Sequence, residues 1–431
     1  MRSNLFCVSA IRVTTAAALR LLRMVSVLTV VIVLVSPVGS RAEDPAPLSA
    51  NVETALDYLI ALSSSTDGTG QVDLVQVAPL AAFIREAPAM TAFTPGERRD
   101  AKGSFITYRV NRSLPEIIRY MYNRKIPEGA VNPSSIDHSF WKEQPGCGQD
   151  ASEIWKALHT LSEPVIAKGL VREFISPDIH TGAYYEYDLL RTFLLYRQGS
   201  SRAVISLSNQ VGTSEVGRKG FIVGDDQDWN YLYTQEKGLN KAGLGWVKSR
   251  IYTFFSVCFY IEDDARPGVV QIGVFQWLGA GAVGLNLVDS HHIQNGLKRY
   301  AEQFKGMLES ARMPEPMVLE RMYTTLDDTP EAILREKALD VIRHIKHKAA
   351  NDRSLAGNDA IREMDEKAYI ERMDKNKLLS ILMREYVKFC LGKETPLTPE
   401  FGSRSMTAPL PENTRLHRDS VGIAVALTQD H

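Results

Sequence analysis

Cysteine is scarce in this chain, neither sign of charge dominates, and no apolar run reaches membrane-spanning length. Four cysteines among 431 residues are too few for a disulfide-built scaffold. None stands in a C-x-x-C pair, which removes the cysteine zinc sites and the thioredoxin-type redox motif. A net charge of −1 leaves no broad basic surface for nucleic acid, whose phosphates need concentrated Lys and Arg. The signatures G-x-S-x-G and H-E-x-x-H are missing. Residues 139–142 spell S-x-x-K, but the S-D-N and K-T-G partners of that motif are absent. No residue constellation names a reaction, no cofactor fingerprint survives inspection, and no metal site is expected.

What is there begins with the first 42 residues. Arg2, Arg12, Arg20 and Arg23 precede a mostly apolar run at 24–35, then Pro37, Gly39 and Ser40-Arg41-Ala42, with no acidic residue before Glu43. A basic start, a short apolar core and a small-x-small end are the parts of a cleavable secretory signal. The core stops short of the roughly 18–20 residues a span needs. Cleavage after Ala42 is therefore expected, giving an exported protein, periplasmic or secreted, with no stable transmembrane span. Five arginines leave with the signal, so 45 basic residues face 51 acidic ones, a net of −6. Cys7 leaves too. Cys147, Cys258 and Cys390 allow at most one internal bridge, with three pairings open. Cys258, inside an apolar strand, reads as a buried small hydrophobe, and Cys147 in a Pro-Gly-Cys-Gly turn reads as exposed.

Four regions follow: a helical segment at 43–98, a principal α+β domain at 99–313, a helical region at 314–394, and a Pro/Thr/Ser-rich tail at 395–431 predicted to be disordered. In the helical region, Thr329-Pro330-Glu331 is a start signal, and Gly392 ends an apolar stripe that includes Leu378, Leu382 and Phe389. The basic cluster at 343–348 reads as a solvated helix face.

In the principal domain, 104–110 alternates as a strand, 111–122 reads as a helix capped by Ser113 with Pro115 in its first turn, and 152–161 reads as a second helix. Strand patterns follow at 183–197, 202–208, 219–223, 229–234, 249–261 and 269–278, with hairpin signals at Gly199 and Pro267-Gly268. A long amphipathic helix closes the domain at 290–311. Strand, two helices, six antiparallel strands and a long helix resembles the START-like (Bet v 1-like, helix-grip) superfamily of lipid and hydrophobic-ligand carriers, by element order alone. That resemblance implies a curved antiparallel sheet gripping the last helix over an apolar cavity, with added helical segments at both ends.

Both faces of 251–261 are largely apolar, so neither is simply solvated. One should meet the closing helix or a ligand, and the other needs a cover from the segments before residue 98 or after 314. The candidate ligand contacts are Tyr187, Arg191, Tyr252, Phe254, Ser256, Phe275, Trp277 and His291, although a packed core is where single aromatics of this kind more often go.

Three local motifs carry less. Residues 279–284 match G-x-G-x-x-G by letter, but no helix follows directly, so a glycine loop at a pocket mouth or close backbone packing replaces dinucleotide binding. Residues 226–230 alternate oxygen ligands as a calcium loop does, but Tyr231 and Lys237 occupy its glycine and glutamate positions, leaving at most a weak site against a solvated acidic turn. Asp137, His138 and Ser139 adjoin in sequence, whereas triads assemble from distant segments. The leading expectation is binding or transfer of a lipid or other hydrophobic small molecule in the cell envelope. The alternatives are an envelope-assembly factor whose protein partner docks on the C-terminal helices and, third, an enzyme of the same fold.

Overall fold

Most of the period-2 segments pair into one large sheet that helical segments cover on both faces, while those expected at 219–223 and 229–234 pair with each other and with Ala183–Tyr184 in a separate three-stranded sheet. The computed structural model describes residues 48–64, 72–142, 149–241 and 245–397. The expected signal, Cys147 and the tail beyond 397 lie outside them. Two helices come first, α1 (Ala50–Ser64) and α2 (Leu74–Glu86). Val52, Ala55, Leu56, Leu59 and Ile60 form the buried stripe of α1. The Asp73 carboxylate caps α2 by accepting the Val75 N–H at 2.9 Å.

The α+β part runs β1 (Ala92–Phe93), β2 (Lys102–Val110), α3 (Leu114–Tyr122), α4 (Glu128–Val131), β3 (Ile136–Lys142) and β4 (Gln149–Asp150). A kinked 3-10 segment, Ala151–His159, stands where a second α-helix is expected. After it come β5 (Val165–Ile175), β6 (Ala183–Tyr184), β7 (Glu186–Gln198), β8 (Ser201–Val211), β9 (Arg218–Ile222) and β10 (Tyr231–Lys237). The short β11 (Leu239–Lys241) and β12 (Gly245–Val247) lead to two long strands, β13 (Ser249–Glu262) and β14 (Val270–Ala282), then β15 (Leu285–Asn286). Helix α5 (Ser290–Leu308) closes the domain. Beyond it lie α6 (Pro316–Asp327), α7 (Glu331–Asn351), α8 (Asp359–Arg362), α9 (Glu366–Glu371) and α10 (Lys375–Leu391). Gly392 ends α10 in the left-handed region, φ 75°.

The main sheet has the order β1-β2-β14-β13-β8-β7-β5-β3. All these neighbours are antiparallel. Helix α5 packs against β2 and β14, so the fold is the α+β helix-grip arrangement. Strands β3 and β5 add to the expected series. Lys168, Arg172 and Glu173 interrupt the apolar alternation of β5, because part of what β5 turns inward is charged. The expected strand at 229 starts later, since Trp229 takes a left-handed conformation (φ 59°) at the end of a 3-10 turn.

One face of the sheet, with Phe105, Phe255, Phe259, Phe275 and Trp277, forms a continuous core with α1 and α2. The second cover is thus the segment before residue 98. The C-terminal helices join the core on the other side. There α10 packs against α4 and β3, and its buried Lys377 and Arg384 meet Asp137 of β3. Burial alone would raise the Asp137 carboxyl, but Lys377, His138 and Arg384 together hold it well below the usual range. All described residues fall in one compact unit.

Candidate functional site

Between the opposite sheet face and α5 lies a cavity of about 700 Å³ with a mainly apolar lining. Leu189, Ile251, Phe254 and Leu278 supply apolar wall from β7, β13 and β14, and Ile293 and Leu297 supply it from α5. Small and polar side chains stand among them: Ser206 and Ser208 on β8, Ser256 and Cys258 on β13, Gln276 and Ala280 on β14. Small residues on the concave side leave the space that large ones would fill.

A charged cluster interrupts the apolar wall. Arg191 on β7, Glu173 on β5 and Glu128 on α4 all line the cavity, and each is buried. Arg191 Nη2 donates to Glu173 Oε1 and, at 3.3 Å, to Glu128 Oε2. Burial opposes the Arg191 charge, yet Glu128 and Glu173 raise its pKa. Burial pushes the Glu128 carboxyl up to about 7 against the pull of Arg191. Burial, and then the charge of Glu173, pushes the Tyr187 phenol well above its ordinary value. The Tyr122 ring lies beneath the guanidinium at 5.3 Å, and its hydroxyl shares a 3.0 Å hydrogen bond with Tyr260. Glu128 and Arg191 also line a second, smaller pocket of about 150 Å³, together with Ser139 and Trp141.

The sequence-derived contacts divide by position. Tyr187, Arg191, Phe254 and Ser256 line the cavity. Phe275 and Trp277 do not. They lie on the covered face, fully buried, where Phe275 meets Phe105 at 4.2 Å and Trp277 donates its indole N–H to the Gly96 carbonyl. Their strand contributes Val274, Gln276 and Leu278 to the cavity instead, so the expected parity of β14 is inverted. Tyr252 departs for a different reason. The β13–β14 register shifts between Ile251 and Thr253, and a bulge of this kind moves the alternation by one residue. Ile251 therefore lines the cavity with Phe254, while the Tyr252 hydroxyl accepts the Gly284 N–H at 2.9 Å. His291 is exposed at the first turn of α5; its neighbour His292 lines the cavity and meets His180 edge-to-face at 4.6 Å. Glu128 and Glu173 were missed by sequence reasoning, because only the fold brings α4 and β5 beside Arg191.

The remaining motifs resolve plainly. Residues 279–282 belong to β14, and a Cβ on Gly281 would lie 2.0 Å from the Leu285 carbonyl oxygen, so this glycine permits a close backbone approach. The hairpin turn that follows places Val283 (96% exposed, φ 54°) and Gly284 (φ 81°) in the left-handed region. Asp226, the first residue of the calcium-like stretch, is held by Arg299 Nε at 2.6 Å and Gln303 Nε2 at 2.8 Å, an ion pair in place of a cation site. Asp137 and His138 are hydrogen-bonded at 3.0 Å, but the aspartate is committed to Lys377 and Arg384. Cys258 and Cys390 are free thiols, Cys258 buried. Among the described residues no three His, Cys, Asp or Glu side chains converge as metal ligands. No described helix is long and apolar enough to cross a membrane.

No family model matches the chain, and no curated protein matches it. Among solved structures, it is similar to the human StarD13 (DLC2) lipid transfer and protein localization domain, with 9% identity over 55% of this chain and 98% of that one, at a TM-score of 0.28. The fold assignment rests on the strand order and the placement of α5.

Proposed function

We propose that this protein binds, and passes on, a lipid or other hydrophobic small molecule held in the cavity between the sheet and α5. The observation that carries the reading is the cavity itself. Its volume of about 700 Å³ lies within the roughly 300–1,000 Å³ of small-molecule sites, and a mostly apolar wall with few polar groups is their usual composition. An assembly factor without a ligand called for a filled core, so the cavity speaks against that reading. The arginine of the charged cluster offers a fixed donor for one polar end of the ligand.

Extraction of purified protein into organic solvent followed by mass spectrometry tests this directly. A stoichiometric apolar molecule is the expected result, as is saturable uptake of a fluorescent fatty acid by delipidated protein. Repeated recovery of empty protein with no probe uptake would sink the proposal. A Ser256→Trp substitution, which places a large side chain in the space, should abolish uptake and leave the fold intact.

Glu128 supplies a specific ground for a second reading, an enzyme of the same fold. A carboxyl raised to about 7 inside a cavity is suited to general acid–base work near neutral pH. The two readings part on the recovered molecule: a carrier returns its ligand unchanged after incubation, and an enzyme converts it and loses turnover in Glu128→Gln. We also propose export to the cell envelope, supported by residues 1–42 alone. N-terminal sequencing of protein from its native source should begin at Glu43; a retained Met1 would refute cleavage.

A further inference from the structure

The register of the main sheet aligns one polar residue from each of four adjacent strands. Arg191 stands opposite Ser208, Ser208 opposite Ser256, and Ser256 opposite Gln276. All four line the cavity. With strands roughly 4.8 Å apart, the row crosses about 14 Å of wall. It is not a solvated edge, because Arg191 and Ser208 are each only 6% exposed. Arg191 Nη2 is engaged by the two glutamates, but its Nε is buried without a partner. Among the described residues, the side chains of Ser208, Ser256 and Gln276 have no hydrogen-bond partner either.

The unpaired Arg191 Nε is a buried donor of the kind native structures nearly always satisfy, while the Ser208 and Ser256 hydroxyls and the Gln276 amide, the last two half-buried, open onto the cavity with their hydrogen-bonding capacity unused. One such group on a cavity wall would suit the single polar head of a straight-chain lipid. A row of them matches a ligand polar along its length. The helical wall supplied by α5 sets Ile293 and Leu297 beside His292, Tyr300 and an Arg299 already paired with Asp226, so a ligand lying on the row meets apolar surface from Ile293 and Leu297 on another side.

We propose that the cavity takes a facially amphipathic ligand: a rigid apolar molecule with several hydroxyl groups along one edge, which lies on the row from Arg191 to Gln276. This deepens the binding reading given above and rests on it. Each hydroxyl can accept from one member of the row and donate to another, which a hydrocarbon chain cannot do.

Calorimetric titration of delipidated protein with three probes below their micelle concentrations tests the idea. Cholate carries three hydroxyls on one face of a fused apolar ring system. Lithocholate has the same skeleton and carboxylate with one hydroxyl, and palmitate has a single head on a flexible chain. A cavity that reads apolar surface alone favours lithocholate, the more hydrophobic steroid. The expected result is the reverse, with cholate at least about tenfold tighter. The Ser208→Ala, Ser256→Ala, Gln276→Leu triple variant should lose that preference while keeping its thermal midpoint. Ser256→Ala alone should reduce the preference several-fold, which keeps the test decisive if the triple variant folds poorly. Lithocholate binding as tightly as cholate, or a preference that survives the substitutions, overturns the inference while palmitate binding leaves the carrier reading standing. If none of the probes binds, the inference falls, and the solvent extraction described above decides the carrier reading separately.

Discussion

Phe255, Phe275 and Trp277 stack against one another and against the N-terminal helices, with ring centroids 5.1 and 5.9 Å apart along the Phe255–Trp277 and Phe275–Trp277 contacts. One residue away on the same strands, Ser256 and Gln276 face open space. The two sides of the sheet thus share backbone, length and pairing, and differ in side-chain volume and in what lies opposite. On the covered face even a glycine is fitted: a Cβ on Gly273 would lie 2.7 Å from Ile84 Cγ2. On the cavity face, four strands in register present arginine, two serines and a glutamine. The packed core and the proposed binding surface therefore lie on opposite sides of one sheet, and substitutions on the two sides should have separable consequences.

The largest difference should come from truncating one residue on each face. Trp277→Ala removes a fully buried indole from close packing and should cost about 3–5 kcal/mol. Ser256→Ala should change stability by less than about 0.5 kcal/mol, because no protein partner is lost. Urea unfolding midpoints of the two variants check this, and equal losses would erase the distinction between the faces.

That distinction was only half legible in the sequence. Period-2 alternation in 251–261 showed two apolar faces, but alternation fixes which residues travel together and not which set turns inward. Trp277 and Phe275 resemble pocket aromatics in composition, and only the helices opposite them decide otherwise. The bulge at Tyr252 has no marked signal, since Ile251, Tyr252 and Thr253 are all good strand formers. The charged cluster was still less visible. Arg191 reads as one polar residue in an apolar strand, while Glu128 and Glu173 lie 63 and 18 residues before it. What the sequence did carry was the hairpin series and closing helix, which rest on local patterns and turn residues.

Glu128 gives the cavity face its own pH dependence. Its carboxyl is raised from 4.5 to about 7 by burial, so the folded state holds a proton there that the unfolded chain releases. Stability from this group is fully present below about 4.5 and is lost as pH rises through about 7, by roughly 3 kcal/mol in all. Glu128→Gln, neutral throughout, should flatten that decline in denaturant titrations between pH 4.5 and 7.5. An unchanged slope would mean that the carboxyl is ionised in the folded protein.

Adding volume sharpens the comparison from the other direction. Gly273→Ala forces a methyl against Ile84, which is itself fully buried, and overpacking of this kind should cost about 1–3 kcal/mol. Ser256→Val adds volume on the adjoining strand where there is space, so its unfolding midpoint should stay close to the parent while fatty-acid uptake falls. Equal destabilisation by both substitutions would indicate that the cavity side cannot accept added volume.

The smallest effect is expected where the sheet ends and neither face applies. At the tip of the β14–β15 hairpin, Val283 is almost fully exposed and holds a left-handed φ of 54°. A β-branched residue pays for that conformation in steric strain, and with 96% exposure it recovers almost nothing from packing. Val283→Gly relieves the strain but increases the freedom of the unfolded chain. The two terms oppose, and the strain should win by about 1 kcal/mol, raising the thermal midpoint by a few degrees. The same substitution should leave fatty-acid uptake unchanged, since Val283 does not line the cavity. A lower midpoint would show that this side chain makes a stabilising contact despite its exposure, and that the hairpin tip belongs with the packed face.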